Sequence, residues 1–130
     1  MPIFAQMGNL TGNKAYYDRA YDMYMFTKTK HGDNGLYNPK DSLWWRDADF
    51  DPPYKEPNGE DCYWSRGNGW IVVAMARMLD LLPEDEKHRK EYETMLVSMC
   101  KALKPLQRED GFWNVSLHDP SNYGGKELSG

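Results

Sequence analysis

The sequence predicts an all-α protein organised as an arc of paired helices, a partial (α/α) toroid. Three observations carry this. Residues 71–82 are apolar at almost every position, so this helix is expected to be covered on nearly all sides. The helix after it shows a single apolar stripe, Tyr92, Met95, Leu96, Met99 and Leu103, as an outer helix with one wet face would. One turn also recurs: Asn34-Gly35-Leu36-Tyr37-Asn38 and Asp110-Gly111-Phe112-Trp113-Asn114 each follow an outer-type helix, as in stacked helical hairpins. A four-helix bundle has no need of an all-apolar helix beside an amphipathic one.

The elements follow in chain order, about three main helices joined by long aromatic loops. The first helix is expected from about Asn13 to Lys30, capped by Thr11 or Asn13, with Tyr17, Tyr21 and Tyr24 at helical spacing. The second runs from about Arg66 to Leu82. The third starts near Pro83, a favoured first-turn residue, with Glu84, Asp85 and Glu86 at the positive end of its dipole. It is expected to end near Lys104-Pro105. Between the first two lies a long segment containing Trp44-Trp45-Arg46-Asp47 and Asp51-Pro52-Pro53-Tyr54, which breaks regular structure. Loops of that length in a compact domain tend to be functional, and the tryptophans argue against disorder.

Composition narrows the function. At 130 residues the chain is read as a single piece, 1–130, large enough for one core but small for an enzyme. A net charge of -4 without a basic stripe argues against a nucleic-acid partner. No apolar run approaches the roughly 20 residues of a membrane span. Cys62 and Cys100 have no disulfide or zinc spacing, and His31, His88 and His118 are scattered, so neither a metal nor a cofactor is expected. Five tryptophans and nine tyrosines exceed what a core of this size would use.

The densest cluster is Tyr63-Trp64-Ser65-Arg66-Gly67-Asn68-Gly69-Trp70. It precedes the apolar helix directly, where backbone N–H groups lack intrahelical partners and the dipole favours negative charge. Aromatic faces, a guanidinium and a helix start suit a ligand that is part ring and part carboxylate, such as an acidic sugar.

Trp64-Ser65-Arg66-Gly67-Asn68-Gly69-Trp70 and the apolar helix ending Leu81-Leu82-Pro83 resemble the unsaturated rhamnogalacturonyl hydrolases, glycoside hydrolase family 105, relatives of the unsaturated glucuronyl hydrolases. Leu10-Thr11-Gly12-Asn13-Lys14-Ala15-Tyr16, Leu43-Trp44-Trp45-Arg46-Asp47 and Gln107-Arg108-Glu109-Asp110-Gly111-Phe112-Trp113 support this. Glu127-Leu128-Ser129-Gly130 resembles the family's Glu-Thr-Ser-Gly, with leucine in place of threonine. The resemblance implies an (α/α)6 barrel of the six-hairpin glycosidase kind. It also implies release of an unsaturated uronic acid from pectin-derived oligosaccharides by hydration of its enol-ether double bond. That chemistry departs from two-carboxylate displacement. A carboxylic acid must hold its proton near neutral pH to start it. The family's aspartate-bearing segment is expected to lie ahead of Met1, so no catalytic residue is assigned and the isolated chain is expected to be inactive. Missing barrel helices would then be replaced by self-association, and the compartment, cytoplasmic or periplasmic in a bacterium, stays open.

The resemblance implies that Arg66 pairs with the uronate carboxylate, with Asn68 beside it, and that Trp64 or Trp70 offers a stacking face. The competing reading is a structural turn in which arginine stacks on tryptophan. Gly67 and Gly69 are read as permitting close backbone approach. Trp45 and Arg46 either line the mouth of the site or pin the loop to the barrel rim. Asp47 is expected to pair with Arg46 or cap a turn, and Trp113 to pack. The functional alternatives are a non-catalytic carbohydrate-binding or assembly module, and another (α/α)6 sugar enzyme such as an epimerase.

Overall fold

The structure, a computed structural model, describes residues 1–123. Glu127-Leu128-Ser129-Gly130 lies outside the described residues. Four α-helices form two hairpins: α1 (Pro2–Thr11) packs on α2 (Ala15–Thr29), α3 (Ser65–Leu81) packs on α4 (Arg89–Leu103), and α1 packs on α3. A short 3-10 turn, Lys104–Leu106, ends α4. The expected all-α class and its paired hairpins are present, and the arc they make is part of an (α/α)6 toroid.

Three expectations need correction. The first is helix α1, absent from the sequence reading, which began its first helix near Asn13. Pro2 supplies a helical φ at the first turn, and Gly12 ends the helix at φ 70° with its N–H on the Gly8 carbonyl. Gly8 inside this helix marks a close approach: a Cβ there would meet Tyr17 Cε1 at 2.3 Å. Asn13 then turns the chain, its Oδ1 accepting the Ala15 N–H at 3.1 Å, and α2 begins.

The second correction concerns α4, which starts at Arg89 and not near Pro83. Residues 83–88 are turns in which Glu86 N–H bonds the Pro83 carbonyl, while Glu86 Oε2 accepts the His88 N–H at 2.8 Å. The side chain that was expected to favour a first helical turn instead competes with it.

The third is the covering of α3. Met75 and Met78 are buried, but Arg66, Trp70, Val73, Arg77 and Asp80 form an exposed stripe. One side of this apolar helix therefore has no cover among the described residues. Its C-terminus is well capped, with Arg89 Nη1 donating to the carbonyls of Leu79 at 2.7 Å and Leu82 at 3.0 Å.

The main core joins both hairpins through Tyr17, Tyr24, Met75, Met78, Tyr92 and Met99. Across it Tyr24 OH donates to Glu91 Oε1 at 2.7 Å, and Lys28 reaches the same oxygen at 2.5 Å. The recurrent Asx-Gly turn is real: Gly35 and Gly111 both have positive φ, 78° and 85°. At Gly35 a Cβ would sit 2.2 Å from the Lys28 carbonyl oxygen, so only glycine closes this turn onto α2. The long loop that follows contains a short antiparallel pair, β1 (Tyr37–Asn38) with β2 (Leu43–Trp44).

Candidate functional site

The Trp64 cluster is held from two sides. Trp64 is the N-cap of α3, in extended conformation, and its neighbours pair with the segment after Gly111. Ser65 N–H donates to the Val115 carbonyl at 3.0 Å, and Leu117 N–H to the Tyr63 carbonyl at 2.9 Å. The first amide of the helix is thus occupied by protein, which weakens the sequence-based argument for an open anion site there. Asn68, one turn into α3 and 2% exposed, fastens the helix to β2. Its Oδ1 accepts the Trp44 N–H at 2.9 Å, and its Nδ2 donates to the carbonyls of Trp44 and Trp64, both at 3.0 Å. The carboxamide is spent on the backbone.

Trp64, Arg66 and Trp70 come together on the surface. The Arg66 guanidinium carbon lies over the Trp64 ring, 4.6 Å from its centroid. Trp70, 57% exposed, meets Trp64 edge-on with centroids 5.3 Å apart. Gly67 makes room: a Cβ there would come within 2.9 Å of Trp64 Cε3. Both readings made from sequence, stacked arginine and close approach at Gly67, describe this geometry.

On the other flank of Trp64 opens a cleft of about 230 Å³, lined by Arg46, Cys62, Trp64, Val115, Ser116 and Tyr123. Arg46 is exposed, lies 4.3 Å over the Phe50 ring and pairs with Asp47 Oδ2 at 3.5 Å. Asp47 also caps a turn, accepting the Asp49 N–H at 2.9 Å, so both expectations for it hold. Trp45 faces inward and stacks on Tyr63 at 6.5 Å with 19° between planes, within the small core of Leu43, Tyr63, Leu103 and Leu117. Trp113 also packs, its Nε1 donating to the Leu103 carbonyl at 3.0 Å. The structure therefore gathers Trp64, Arg66, Trp70 and Arg46 at one surface and places half-buried Trp45 and buried Asn68 behind it.

Four cleft residues were not assigned to a site from the sequence: Cys62, Val115, Ser116 and Tyr123. Behind them sits Glu56, 2% exposed, accepting from Ser116 Oγ at 3.0 Å and Asn122 Nδ2 at 2.6 Å. This carboxylate holds the segment 116–122 against the loop that carries Glu56. Burial and the neighbouring Glu56 push the Cys62 thiol up to about 12, which keeps it protonated and inert. Elsewhere, Asp18, Glu86 and His88 bring ligand-type atoms within 4.8 Å of one another. Their partners are protein groups: Asp18 holds Lys87 at 2.7 Å and His88 Nε2 at 3.0 Å. The His88 ring stacks on Tyr21 at 3.7 Å. Sequence spacing gave no sign of this cluster, because Asp18 lies 70 positions from His88.

An arc of helical hairpins with tryptophan and arginine displayed at the start of α3 matches the partial (α/α) toroid expected from the sequence. Comparison with known proteins agrees. The profile described as Glycosyl Hydrolase Family 88 matches residues 1–130, and the chain belongs to that family. An unsaturated 3S-rhamnoglycuronyl hydrolase of Formosa agariphila is 36% identical over 134 residues, covering 99% of this chain and 34% of the relative. An unsaturated rhamnogalacturonyl hydrolase of Bacillus subtilis is 36% identical over 61 residues, covering 47% of this chain and 18% of that protein. Among solved structures, a glycosyl hydrolase family 88 protein from Bacteroides vulgatus superposes with a TM-score of 0.89 at 33% identity, over 97% of this chain and 35% of that one. A family 105 glycoside hydrolase from C. acetobutylicum, at 22% identity and a TM-score of 0.72 over 98% of this chain and 35% of that one, shares the fold. The chain spans about a third of the length of these longer relatives.

Proposed function

We propose that this chain supplies part of the substrate pocket of an enzyme that releases an unsaturated uronic acid from an oligosaccharide by hydrating its enol-ether double bond. Arg66 holds the uronate carboxylate, Trp64 and Trp70 present ring faces to the sugar, and Arg46 contacts the following residue across the cleft. Asn68 and Trp45 position these groups from behind. The observation that supports the reading best is the Arg66–Trp64 contact at 4.6 Å beside the exposed Trp70. A fixed guanidinium next to bare indole is suited to a ring that carries a carboxylate. Membership of Glycosyl Hydrolase Family 88 supports a glycoside hydrolase reading.

Binding tests this on the chain itself. An unsaturated uronate disaccharide titrated by calorimetry should bind, and Arg66→Ala should weaken it by about 10- to 100-fold, the worth of a charge-assisted hydrogen-bonded pair. Reducing the ligand carboxylate to an alcohol should cost the wild type a similar factor and cost Arg66→Ala little. If the two losses simply multiply, Arg66 does not meet that carboxylate. A second reading, binding without turnover, is distinguished by the ultraviolet absorbance of the double bond: its decay with the chain alone would exclude a purely binding module.

A further inference from the structure

We propose that Asp18, Glu86 and His88 make a binding site for a single zinc ion, which fastens the two helical hairpins to each other. Asp18 lies on α2, and Glu86 and His88 lie on the turn that joins α3 to α4. One ligand-type atom from each, two carboxylate oxygens and an imidazole nitrogen, lies within 4.8 Å of the other two. No other three His, Cys, Asp or Glu side chains converge in this way among the described residues. Asp18 Oδ1 and His88 Nε2 are already 3.0 Å apart. Zinc–ligand bonds of about 2.0–2.2 Å at tetrahedral angles set donor atoms about 3.4 Å apart, so a movement of about 1.5 Å or less brings Glu86 to that spacing.

Tyr92 supplies an independent sign of a ligand. It is fully buried, and its hydroxyl has no partner among the described residues. Helical side chains lean toward the N-terminus, and Tyr92 sits in the opening turn of α4, so its hydroxyl is carried toward the turn that holds Glu86 and His88. Burial first and the Glu86 carboxylate next push this hydroxyl up. The Tyr21 ring links the two sides, stacked on His88 with centroids 3.7 Å apart and edge-on to Tyr92 at 6.3 Å. A buried hydroxyl without a partner is costly, and a water on the ion would give it one. Access is open, through a cleft of about 220 Å³ bordered by Lys14, Asp18, Glu86 and Lys87. Lys87 is the competitor: its Nζ holds Asp18 Oδ1 at 2.7 Å, but its side chain is 66% exposed and such a pair is weak. A divalent ion brings twice the charge to the same oxygen and also engages Glu86 and His88. Imidazole with carboxylate suits zinc, whereas magnesium and calcium prefer oxygen ligands throughout. The group follows the C-terminal end of α3, about 25 Å of helix from Trp64 at its start, so it does not depend on the saccharide reading.

Cobalt(II), a coloured stand-in for zinc, tests the site in the chain carrying Cys100→Ser, which removes the exposed thiol as a rival ligand. Visible absorption should saturate at one ion per chain, and added zinc should bleach it. Zinc should also raise the melting temperature, because it binds the folded state in which the two hairpins meet. His88→Gln and Asp18→Asn should each weaken cobalt binding at least tenfold while keeping the helical circular dichroism. His31→Gln should leave it unchanged. Lys87→Ala removes only the exposed competitor and should tighten binding several-fold, which gives an answer even where His88→Gln does not fold. Absence of saturable binding, binding that His88→Gln leaves intact or that His31→Gln weakens equally, or a Lys87→Ala variant that binds no more tightly overturns the inference. A chain that binds zinc but no uronate sinks only the saccharide pocket, and the converse sinks only the metal site.

Discussion

Asn68→Ala separates a latch from a ligand contact. The Asn68 carboxamide is the partner recorded for both the N–H and the carbonyl of buried Trp44, while the Trp64 carbonyl also accepts the Asn68 N–H at 3.0 Å. Truncation therefore orphans two backbone groups and leaves the third satisfied. An unsatisfied buried polar group costs about 1–3 kcal/mol, so the pair should cost about 2–5 kcal/mol, with water entering the vacated space pulling toward the lower figure. Against a total stability of about 5–15 kcal/mol this is severe. For a chain of this size it corresponds to a fall in melting temperature on the order of 10–15 °C. Thermal unfolding followed by circular dichroism reads it directly. Asn68→Asp keeps the acceptor for Trp44 N–H but sets a carboxylate against two carbonyls, so it should be no milder. A fall below about 3 °C together with a large loss of saccharide affinity would refute the reasoning and restore Asn68 as a direct ligand contact.

Other expectations follow from the same surroundings. Gly67→Ala should displace the Trp64 ring, because a Cβ there would come within 2.9 Å of it; near-ultraviolet circular dichroism should change while helix content holds. One thiol per folded chain should react with a disulfide reagent at mild alkaline pH, namely exposed Cys100, and two after unfolding in guanidinium, since buried Cys62 titrates at about 12. Burial raises the Glu91 carboxyl, but Lys28 and the Tyr24 hydroxyl overcome this and hold it below its usual value. A carboxylate depressed in the folded state contributes stability that is present above the unfolded value and lost as pH falls through the folded one. The melting temperature should therefore drop below about pH 4.5, and Glu91→Gln should flatten that acid limb.

The parts of the fold that read clearly from sequence are those set by periodicity and by obligatory glycine. The stripe of Tyr92, Met95 and Met99 on α4 and the positive φ at Gly35 and Gly111 are local consequences of residue type. Helix α1 escaped because Ile3, Met7 and Leu10 face outward, so its apolar pattern has no wet side to betray a period. The start of the last helix was misplaced at Pro83, whereas α4 begins at Arg89, because Glu86 serves a turn as readily as a helix. At the site, the Trp64–Arg66–Trp70 grouping was legible because its members lie within six positions, less than two turns of α3. Val115, Ser116 and Tyr123 were not, since long-range contacts carry them to the cleft: the bridge between Trp64 and Ser116, 52 positions apart, and the Glu56 bonds to Ser116 and Asn122.

A stacked arginine and a ligand-binding arginine were set against each other as alternatives, and the geometry gives a reason to join them. A free arginine side chain carries about 2 kcal/mol of rotamer entropy, part of which binding must remove. Contact with the Trp64 face at 4.6 Å removes some of it beforehand, at an interaction of about 0.5–1 kcal/mol for an exposed cation–π pair. The ring engages the guanidinium through the π face, whereas a carboxylate engages two of its five in-plane N–H donors. The two contacts differ in direction, so one can prepare the other. On that account Trp64→Phe, which keeps a weaker face, should lose less affinity than Trp64→Ala, and both should lose affinity only for ligands that carry the carboxylate. An equal loss for the carboxyl-reduced ligand would mean that Trp64 touches the sugar and does nothing for Arg66.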